Sequence, residues 1–469
     1  MVVLLYGTTS CAAEPSESMG AGSLPPFPAT WSIDVPSGSG TGNSTLSDRL
    51  ATLDQAIEIT LQRNPTLVAQ RQQDPVSRAA LEVAATYPYN PVAQAQVLPL
   101  SRDRDGNPTS TFNTWTLVET IELAHQQRHR IDAATAELAR SGWSIRQAEL
   151  AQVAQTQRLY FTVVYRHDLR DTTTAQAGLD AEIVGILQRR FSAGQSTATE
   201  VALARINART SRQEADMAAA SYENARLELQ TQLGLPQSAA IDPCGETACW
   251  KWQPVPVAAL AGEASGLDPG RPQTLTAAAL VVRRPDVMQA RAELCAACAQ
   301  LDLAQANRVP NVQLGPAFER DESGTAMFGV QAQMELPIVN NGRALVRQRE
   351  AEVGQREVAL QQLLVQAQSE AEAAIAHYER VRAVLEKSRS ELGGAMAQDV
   401  RWIEDSFRAG QTDLIHVHTA HRNAIDTEKA LLGEANDLAQ AAARVTETTG
   451  IAPRVLVYYS CPASPRPAK

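Results

Sequence analysis

Two stretches of the chain have almost the same sequence: RRFSAGQSTATEV around Gly194, and DSFRAGQTDLIHV around Gly410, which lies 216 residues further on. Other positions repeat at similar spacings. They include the pairs Asn207-Ala208 and Asn423-Ala424, the segments NPTLVAQR and RPDVMQAR at Asn64 and Arg284, and the trio Glu122, Arg130 and Glu137, matched by Glu335, Arg343 and Glu350. Self-similarity at a long, fixed spacing marks a structural unit that is present more than once. The sequence therefore predicts one unit, duplicated.

Each predicted unit begins with short helices and continues into a β-hairpin. The helices are expected at 53–64 and 66–86, and again from about 274 to 307, because the residue before Pro65 or Pro285 resists the helical conformation. In the second hairpin, TAMFGVQAQMELPI places Phe328 and Val330 on one face and Gln331 on the other. Such alternation predicts strands with one apolar and one polar face, as in transmembrane barrels. The first-half strands, VAQAQVLPL and TFNTWTLVETIEL, alternate less strictly.

A very long helix is predicted after each hairpin, over 126–190 and 342–405. The second carries a 3.5-residue repeat of apolar and small residues, which is typical of a coiled-coil seam: Leu360, Leu364, Ala367, Ala371, Ala374, Tyr378, Val381, Leu385 and Leu392. At 1.5 Å per residue, about 65 residues extend on the order of 100 Å. Each long helix is expected to end in the repeated turn, where Gly194 or Gly410 supplies the left-handed step. A second helix then returns antiparallel, to about 233 and 449.

Composition and charge exclude several classes of function. The net charge is −10 and the pI is about 5.4, so binding to the phosphates of a nucleic acid is not expected. No apolar run is long enough for a transmembrane helix. A thiol or metal enzyme would need Cys295, Cys298 and the histidines to converge, and the duplicated layout separates them. We therefore expect no enzymatic activity and no cofactor.

The repeats also set the expected domain boundaries. Residues 1–48 are expected to be a signal remnant followed by a disordered tether, 49–235 the first structural repeat, 236–273 a linker, 274–452 the second repeat, and 453–469 a flexible tail. The start MVVLLYGTTSCAAEP resembles the end of a bacterial lipoprotein signal without its basic region. Cys11 is accordingly a candidate for lipid attachment, and the alternative is an ordinary disordered N-terminus.

Four of the five remaining cysteines lie in two different settings, and the fifth, Cys461, lies in the expected tail. Cys244 and Cys249 fall in the linker DPCGETACW, where a small disulfide would suit an oxidising compartment. Cys295 and Cys298 form a CxxC within a helical segment, without the βαβ setting of a redox motif or the second ligand pair of a zinc site. Packing of small residues is therefore the interpretation we favour for that pair.

The strands cannot close a sheet within one chain. Four strands leave open edges, whose unpaired backbone groups cost several kcal/mol each in lipid. Identical copies around a rotation axis would close the sheet and would align the long helices as a tube.

The sequence resembles the TolC-like outer-membrane efflux channels of Gram-negative bacteria, from Leu53 to Pro453. The matching segments are LDQAIEITLQRNPTL, RRPDV, ELPIVNNGRA and the two F-x-A-G-Q turns. The resemblance implies a mainly α fold with a small transmembrane β part, in which long antiparallel coiled-coil hairpins form an α-barrel. It also implies four strands per chain in a twelve-stranded barrel formed by a homotrimer. The implied partners are outer-membrane lipid, a periplasmic adaptor and a proton-driven inner-membrane pump, and the implied location is the outer membrane, extending into the periplasm.

The resemblance further implies that the repeated turns are periplasmic tips, where the pore is narrow at rest. The tip residues are then Phe191, Gly194, Gln195, Phe407, Gly410 and Gln411. Family channels usually carry carboxylates just past the tip glycines. Those positions fall on Glu200, His416 and Thr419 here, so only one of the three is acidic. The segment HVHTAH adds His418 and His421, for which the alternatives are a pH-sensitive or metal-touching entrance and plain solvent-facing polar residues.

The resemblance also predicts a class of cargo, which is the most detailed inference that we draw from it. The second hairpin, GPAFERDESGTAMFGVQAQMELPIVNN, is more similar to the cation-efflux (CzcC-like) branch than to the drug-efflux branch. Export of heavy-metal cations is therefore expected. The alternatives are the duct of a drug-efflux or type I secretion system and, in another class, a periplasmic adaptor with one long helical hairpin.

Overall fold

The computed structural model describes residues 52–98, 111–236, 250–255, 280–321, 323–392, 395–409, 411–412 and 414–459. Cys11, Cys244, Cys249 and Gly410 lie outside them. The chain divides into two compact units, one built from 71–145 and 285–364, and the other from the segments up to residue 70, between 146 and 284, and after 364. The two units do not coincide with the two sequence repeats, because each unit takes part of both.

The order of helices and strands follows the predicted duplication. In chain order the elements are α1 (Leu53–Arg63), α2 (Pro65–Arg71), α3 (Gln73–Ala85), β1 (Val92–Leu98), β2 (Phe112–Ile121), α4 (Gln126–Ser192), α5 (Ala198–Gln232), β3 (Trp250–Trp252), α6 (Pro285–Ala306), β4 (Val312–Arg320), β5 (Ala326–Met334), α7 (Arg343–Leu392), α8 (Ala395–Arg408), α9 (Leu414–Thr449), α10 (Pro453–Leu456) and β6 (Val457–Tyr459). The predicted hairpins, the first long helix and the return helices are thus confirmed. The second long helix, expected as one run over 342–405, is described as the two helices α7 and α8, and residues 393–394 lie outside the described ranges.

One predicted helix is divided in two. The segment expected at 66–86 forms α2 and α3, with the boundary at Gln72. Because α3 begins at Gln73, Pro75 lies in its first turn, where the missing backbone N–H leaves no helical hydrogen bond unmade. The Asp74-Pro75 step is therefore compatible with a helix without a kink.

The first unit contains a four-stranded antiparallel sheet in the order β1-β2-β4-β5. Strands β2 and β4 come from different repeats, and their register places Trp115 opposite Phe318. Within the hairpins, Ala95 lies opposite Trp115 and Phe318 lies opposite Phe328. The junction between the repeats is therefore made by direct strand pairing.

One face of this sheet is apolar and open. The side chains of Phe328 and Val330 are 84% and 74% exposed, and Trp115 and Leu117 continue the same face on β2. The rings of Phe318 and Phe328 lie 4.9 Å apart, centre to centre. The alternation seen in the sequence thus corresponds to an apolar surface that a single chain does not cover.

Polar contacts fix the passage from the sheet into the long helix α4. Arg130 donates from Nη1 to Glu122 Oε1 at 2.7 Å, and the Glu122 side chain is almost fully buried. Gln126 is buried at the start of α4 and donates to Asn311 Oδ1 at 3.0 Å. His125, which directly precedes α4, has a φ of 55°, and Gly342, which directly precedes α7, has a φ of 72°. The left-handed step is therefore present in both repeats, although only one of them uses glycine.

The second unit packs its long helices around small and aromatic side chains. Ala367, Ala371 and Tyr378 of the predicted seam are fully buried on α7, which confirms that seam. The rings of Phe161 and Trp250 lie 4.7 Å apart. The Tyr378 hydroxyl donates to the backbone oxygen of Gln253 at 2.6 Å, and burial raises the pKa of this phenol.

The end of the chain differs from the sequence expectation. A flexible tail was expected from Pro453, but Pro453–Leu456 form α10 and Val457–Tyr459 form β6. Strand β6 pairs antiparallel with β3, with Trp250 opposite Tyr459, and β3 lies within the expected linker. Long-range pairing of these two short strands is not visible in local sequence patterns.

None of the helices in the described ranges has an apolar stretch of the length that a bilayer requires.

Candidate functional site

The repeated turn has the geometry that its sequence predicts. At the end of α4, Gly194 has a φ of 72°, Gln195 donates its backbone N–H to Arg190 O at 2.8 Å, and Gly194 donates to Phe191 O at 2.9 Å. These bonds form a Schellman motif, in which a residue without a β-carbon takes the left-handed conformation.

The second turn repeats the first of these two bonds, which joins residues five positions apart. Gln411 donates its backbone N–H to Ser406 O at 2.9 Å, which is the equivalent contact 216 residues later. Phe191 and Phe407 are both exposed near the ends of their helices. The two turns thus share this backbone hydrogen bond as well as the F-x-A-G-Q sequence.

Glu200 caps the helix that returns from the first turn. Its Oε2 accepts from the backbone N–H of Thr197 at 3.0 Å, and Thr197 Oγ1 accepts from the backbone N–H of Glu200 at 3.2 Å. These two reciprocal bonds form a capping box. A capping role does not exclude an entrance role, because the side chain remains only half-buried.

The second and third histidines of HVHTAH, His418 and His421, have carboxylate partners on other helices. His418 Nε2 on α9 lies 2.6 Å from Asp180 Oδ1 on α4, and the exposed fractions of the two side chains are 17% and 5%. His421 Nε2 lies 2.9 Å from Glu404 Oε1 on α8, with both side chains about one-third exposed. His418 thus lies largely buried against α4, whereas His421 keeps about a third of its side chain exposed.

The other candidate entrance residues have simpler surroundings. His416 and Thr419 are exposed on α9, and Thr419 Oγ1 donates to the backbone oxygen of Ile415 at 2.8 Å. That bond lies within the helix itself. The structure therefore does not bring His416 and Thr419 to the His418–Asp180 pair.

Two cavities flank the His418–Asp180 pair. One, of about 150 Å³, is lined by residues that include Gln176, His421 and Arg422, and the other, of about 70 Å³, by residues that include Glu200 and Asn207. Both His418 and Asp180 line each of them. Glu200 and His418, which are 218 residues apart in the sequence, are thus brought to one small space between α4, α5 and α9.

Asp180 is the member of this site that sequence reasoning missed. It lies on a buried stripe of α4 together with Thr173, Gln176 and Leu187, at spacings of three, four and seven. A charged residue on such a stripe requires a partner, because an unpaired buried carboxylate is costly. Its Oδ2 makes no hydrogen bond within the described residues. The seam position of an aspartate was therefore the signal that could have identified it.

A second polar contact joins the same three helices further from the turns. Lys429 on α9 donates from Nζ to Gln176 Oε1 at 2.5 Å and lies 3.3 Å from Glu214 Oε2 on α5. The middle parts of α4, α5 and α9 are thus connected by charged and polar side chains. Nearer the first turn, α4 and α5 also pack through the apolar cluster of Leu187, Val201 and Ala204.

The chemistry of the described residues gives no metal centre. No group of three or more histidine, cysteine, aspartate or glutamate side chains in the described ranges has the geometry to hold a metal ion. The pair at His418 and Asp180 offers two ligand types, and their 2.6 Å separation is that of a direct hydrogen bond. The arrangement can hold α4 and α9 together.

Comparison with known proteins adds the family context. Residues 277–451 match the profile of the family described as "Outer membrane efflux protein", which is less than half of the chain. A curated relative, the pyoverdine export outer membrane protein OpmQ of Pseudomonas putida, is 25% identical over 182 residues, which are 38% of this chain and 35% of the relative. The chain thus matches about a third of the length of that relative. Both descriptions are of outer-membrane proteins, and the outer membrane is the location of this chain.

Solved structures extend the similarity to most of the chain at the level of the fold. The outer-membrane channel OprN matches with a TM-score of 0.66 at 16% identity, covering 86% of this chain and 90% of the channel. The CmeC outer membrane channel of Campylobacter jejuni matches with a TM-score of 0.66 at 15% identity, covering 85% of each chain. The fold is therefore that of the TolC-like outer-membrane channels, mainly helical with a small antiparallel β part.

Proposed function

We propose that the chain is the outer-membrane channel of a tripartite efflux system, a passive homotrimeric conduit that receives its cargo from an inner-membrane pump. The proposal joins the fold of the TolC-like channels with the family match over the second repeat. It assigns the sheet of the first unit to the lipid and the repeated turns of the second unit to the periplasmic entrance.

The sheet is the observation that carries the proposal. Its outward side chains, among them Phe328 and Val330, are mostly exposed, which is unfavourable in water and favourable against hydrocarbon. Its outer strands have unpaired backbone groups that lipid cannot hydrate. Copies of the same chain remove both costs together, because each copy supplies strand edges to its neighbours and leaves the apolar face to the lipid.

The residues next to the repeated turns support the assignment of these turns to the periplasmic entrance. Glu200 and the exposed His416 and Thr419 stand just past the two turns, at the positions that the family resemblance assigns to the entrance. Three copies would bring three sets of these residues around one axis. In this arrangement Glu200 supplies the negative charge of the entrance, and His418 with Asp180 joins neighbouring helices behind it.

Two cargo classes are compatible with a passive conduit. Heavy-metal cations are favoured by the resemblance of the second hairpin to the cation-efflux branch. The relative named for pyoverdine export points instead to an organic, siderophore-type molecule. Because the pump selects the cargo, the partner proteins decide between these classes, and a periplasmic adaptor and a proton-driven pump are the partners that we propose.

The alternative of a periplasmic adaptor has less support. An adaptor of the kind considered carries one long helical hairpin, whereas this chain has two, α4–α5 and α7/α8–α9. A type I secretion duct would share the fold and differ in its pump. The partner experiment below therefore separates the secretion duct from the efflux channel.

The first experiment measures assembly and conduction. We expect the full chain, purified in detergent, to have the native mass of three copies and to give stepwise ion currents in planar bilayers. A monomer, or a trimer that never conducts even after solvent or voltage perturbation, would refute the conduit. The second experiment cross-links the chain in its native membrane and identifies the captured partners by mass spectrometry, and we expect a proton-driven pump with its adaptor. Recovery of an ATP-driven secretion transporter instead would overturn the efflux assignment and leave the conduit intact.

A further inference from the structure

Positive charge is concentrated where the sheet of the first unit passes into its helices. The segments at this junction are residues 86–91, 121–131, 307–311 and 335–349. Together they contain six arginines and two carboxylates, although acidic residues outnumber basic ones over the whole chain by 52 to 42. The junction is therefore locally cationic in an acidic chain.

Four of these arginines have no ion pair within the part of the chain that the structure describes. The set, which we call the basic belt, consists of Arg128, Arg308, Arg343 and Arg347, and all four are exposed. The other two arginines are neutralised, because Arg130 pairs with Glu122 at 2.7 Å and Arg349 pairs with Glu352 at 2.6 Å. Exposed guanidinium groups that no carboxylate neutralises attract anions, and phosphate suits their geometry.

Large apolar side chains lie next to the basic belt and are open as well. Ile338 and Val339, between β5 and α7, are 83% and 99% exposed, and Leu336 and Leu123 are also exposed. A water-filled space favours the arginines but not these side chains. The boundary of a bilayer favours both, because it offers hydrocarbon on one side and charged headgroups on the other.

Two tyrosines mark the level of that boundary. The Tyr87 hydroxyl donates to the backbone oxygen of Thr120, near the end of β2, at 2.5 Å. The Tyr89 hydroxyl accepts from Asn311 Nδ2, just before β4, at 2.9 Å. Tyrosines with an apolar ring and a polar tip are typical of the level at which hydrocarbon meets headgroups.

The basic belt begins immediately beyond this level. Arg343 is the first residue of α7, Arg347 follows one turn later, and Arg128 lies in the first turn of α4. At 1.5 Å per residue, these arginines lie within about 6 Å of the starts of their helices, measured along the helix axis. The headgroup layer of one leaflet is about 5–8 Å thick. The belt is therefore at the depth of the lipid phosphates.

We propose that the basic belt binds the phosphate groups of anionic phospholipids, so that the chain selects phospholipids with a net negative charge over zwitterionic ones. This inference rests on the proposed assignment of the sheet to the lipid, and it adds the class of lipid and the residues that select it. The leaflet concerned is the one on the helical side of the sheet, which the proposed function places towards the periplasm.

A groove in the same unit extends the proposed binding surface. Its volume is about 500 Å³, and apolar side chains that include Val83, Leu303 and Leu345 line it together with Arg130 and Arg349. Arg130 and Arg349 each lie two residues from an arginine of the basic belt. The groove thus offers apolar walls for the glycerol and the upper acyl chain of a lipid whose phosphate is held by the belt.

The test compares two lipids that differ only in the charge of the headgroup. The full chain, purified in mild detergent, is equilibrated with equal amounts of dioleoylphosphatidylglycerol and dioleoylphosphatidylcholine, and native mass spectrometry counts the lipids that each trimer retains. We expect a preference of about tenfold or more for phosphatidylglycerol, which decreases as the salt concentration rises. A preference that is absent, or that salt does not alter, would overturn the inference.

Arginine variants test whether the basic belt is the origin of the preference. The triple variant Arg128→Gln, Arg343→Gln and Arg347→Gln should retain the two lipids almost equally, because each arginine near the surface contributes about fivefold. The matched control removes three exposed arginines elsewhere, through Arg209→Gln, Arg212→Gln and Arg401→Gln, and should keep the preference of the parent. Equal behaviour of the two triple variants would show that the belt does not select the lipid.

A further variant separates charge from folding. Arg347→Lys keeps the positive charge and should keep most of the preference, whereas Arg347→Gln should lower it about fivefold. Equal losses in these two variants would contradict a role for charge.

The outcomes also separate this inference from the proposed function. A trimer that conducts in bilayers but retains both lipids equally would overturn the lipid selectivity and leave the conduit intact. Failure to form a trimer in any lipid or detergent would overturn the proposed function itself.

Discussion

His418 Nε2 on α9 and Asp180 Oδ1 on α4 lie 2.6 Å apart, although 238 residues separate them in the sequence. This contact ties the return helix of the second repeat to the long helix of the first. We expect His418→Ala to lower the free energy of unfolding by about 2 kcal/mol, because it leaves the buried Asp180 carboxylate without its partner. Thermal unfolding, together with amide hydrogen exchange of α9, measures the effect.

A matched control for this prediction lies one turn away. His421 pairs with Glu404, but both side chains are about one-third exposed. His421→Ala should therefore cost only about 0.5 kcal/mol. If the two substitutions were equally mild, the His418–Asp180 contact would not stabilise the helices.

The left-handed glycine of the first turn gives a second prediction. Gly194 has a φ of 72°, and an added β-carbon would meet no atom within 4 Å. Gly194→Ala should cost about 1 kcal/mol from backbone conformation alone. Gly178 and Gly185 also have open space around them, but they lie within α4, so alanine there should stabilise by about 0.5 to 1 kcal/mol. Opposite signs for the two kinds of site in thermal unfolding would confirm the argument, and equal signs would contradict it.

A third prediction concerns Glu200, where one substitution separates the effect of helix capping from the effect of the negative charge. Glutamine also fits a capping box, so Glu200→Gln should change the unfolding free energy by less than about 0.5 kcal/mol. The same substitution removes one negative charge per copy from the proposed entrance, and we expect lower cation selectivity, measured as a smaller reversal potential across an ion gradient.

The complementary variant for this prediction is Thr197→Ala, which keeps the charge of the Glu200 position and removes the cap. It removes the cap and should cost about 1 kcal/mol without altering ion selectivity. A reversal potential that is identical in the parent and in Glu200→Gln would leave Glu200 with a structural role only.

The open face of the sheet gives a fourth prediction. Phe328→Arg places a charge on the most exposed aromatic side chain of β5. If this face meets hydrocarbon, the substitution should cost about 2–4 kcal/mol near the bilayer midplane and reduce the amount of trimer in the outer membrane. Gln333→Arg, on the opposite face of the same strand, is the matched control and should assemble normally. Equal assembly of both variants would mean that Phe328 does not face lipid.

Local structure was largely predictable from the sequence. The hairpins, the long and returning helices and the capping box at Thr197 follow from alternation, from seam spacing and from turn chemistry. The repeated F-x-A-G-Q stretch predicted two equivalent turns, and both have the same 2.8–2.9 Å backbone bond. These features depend on residues within a few positions of one another, so a single sequence contains all that they need.

The contacts that define the site were not predictable in the same way. Asp180 and Glu404 became visible as partners of the histidines only when α4, α8 and α9 were packed, because pairing across helices depends on which faces meet. The pairing of β6 with β3 was missed for the same reason, since two strands of three residues have no periodicity to detect.

The amino-acid sequence by itself determined that this chain contains two copies of one structural unit, made of helices and a β-hairpin. It could do so because hydrophobic periodicity and turn residues act locally. Only the tertiary structure decided that β2 joins β4 across the repeats and that Asp180 holds His418. Strand order, register and cross-helix pairing are set by long-range burial and by the need to satisfy buried polar groups, and these conditions exist only once the chain has folded.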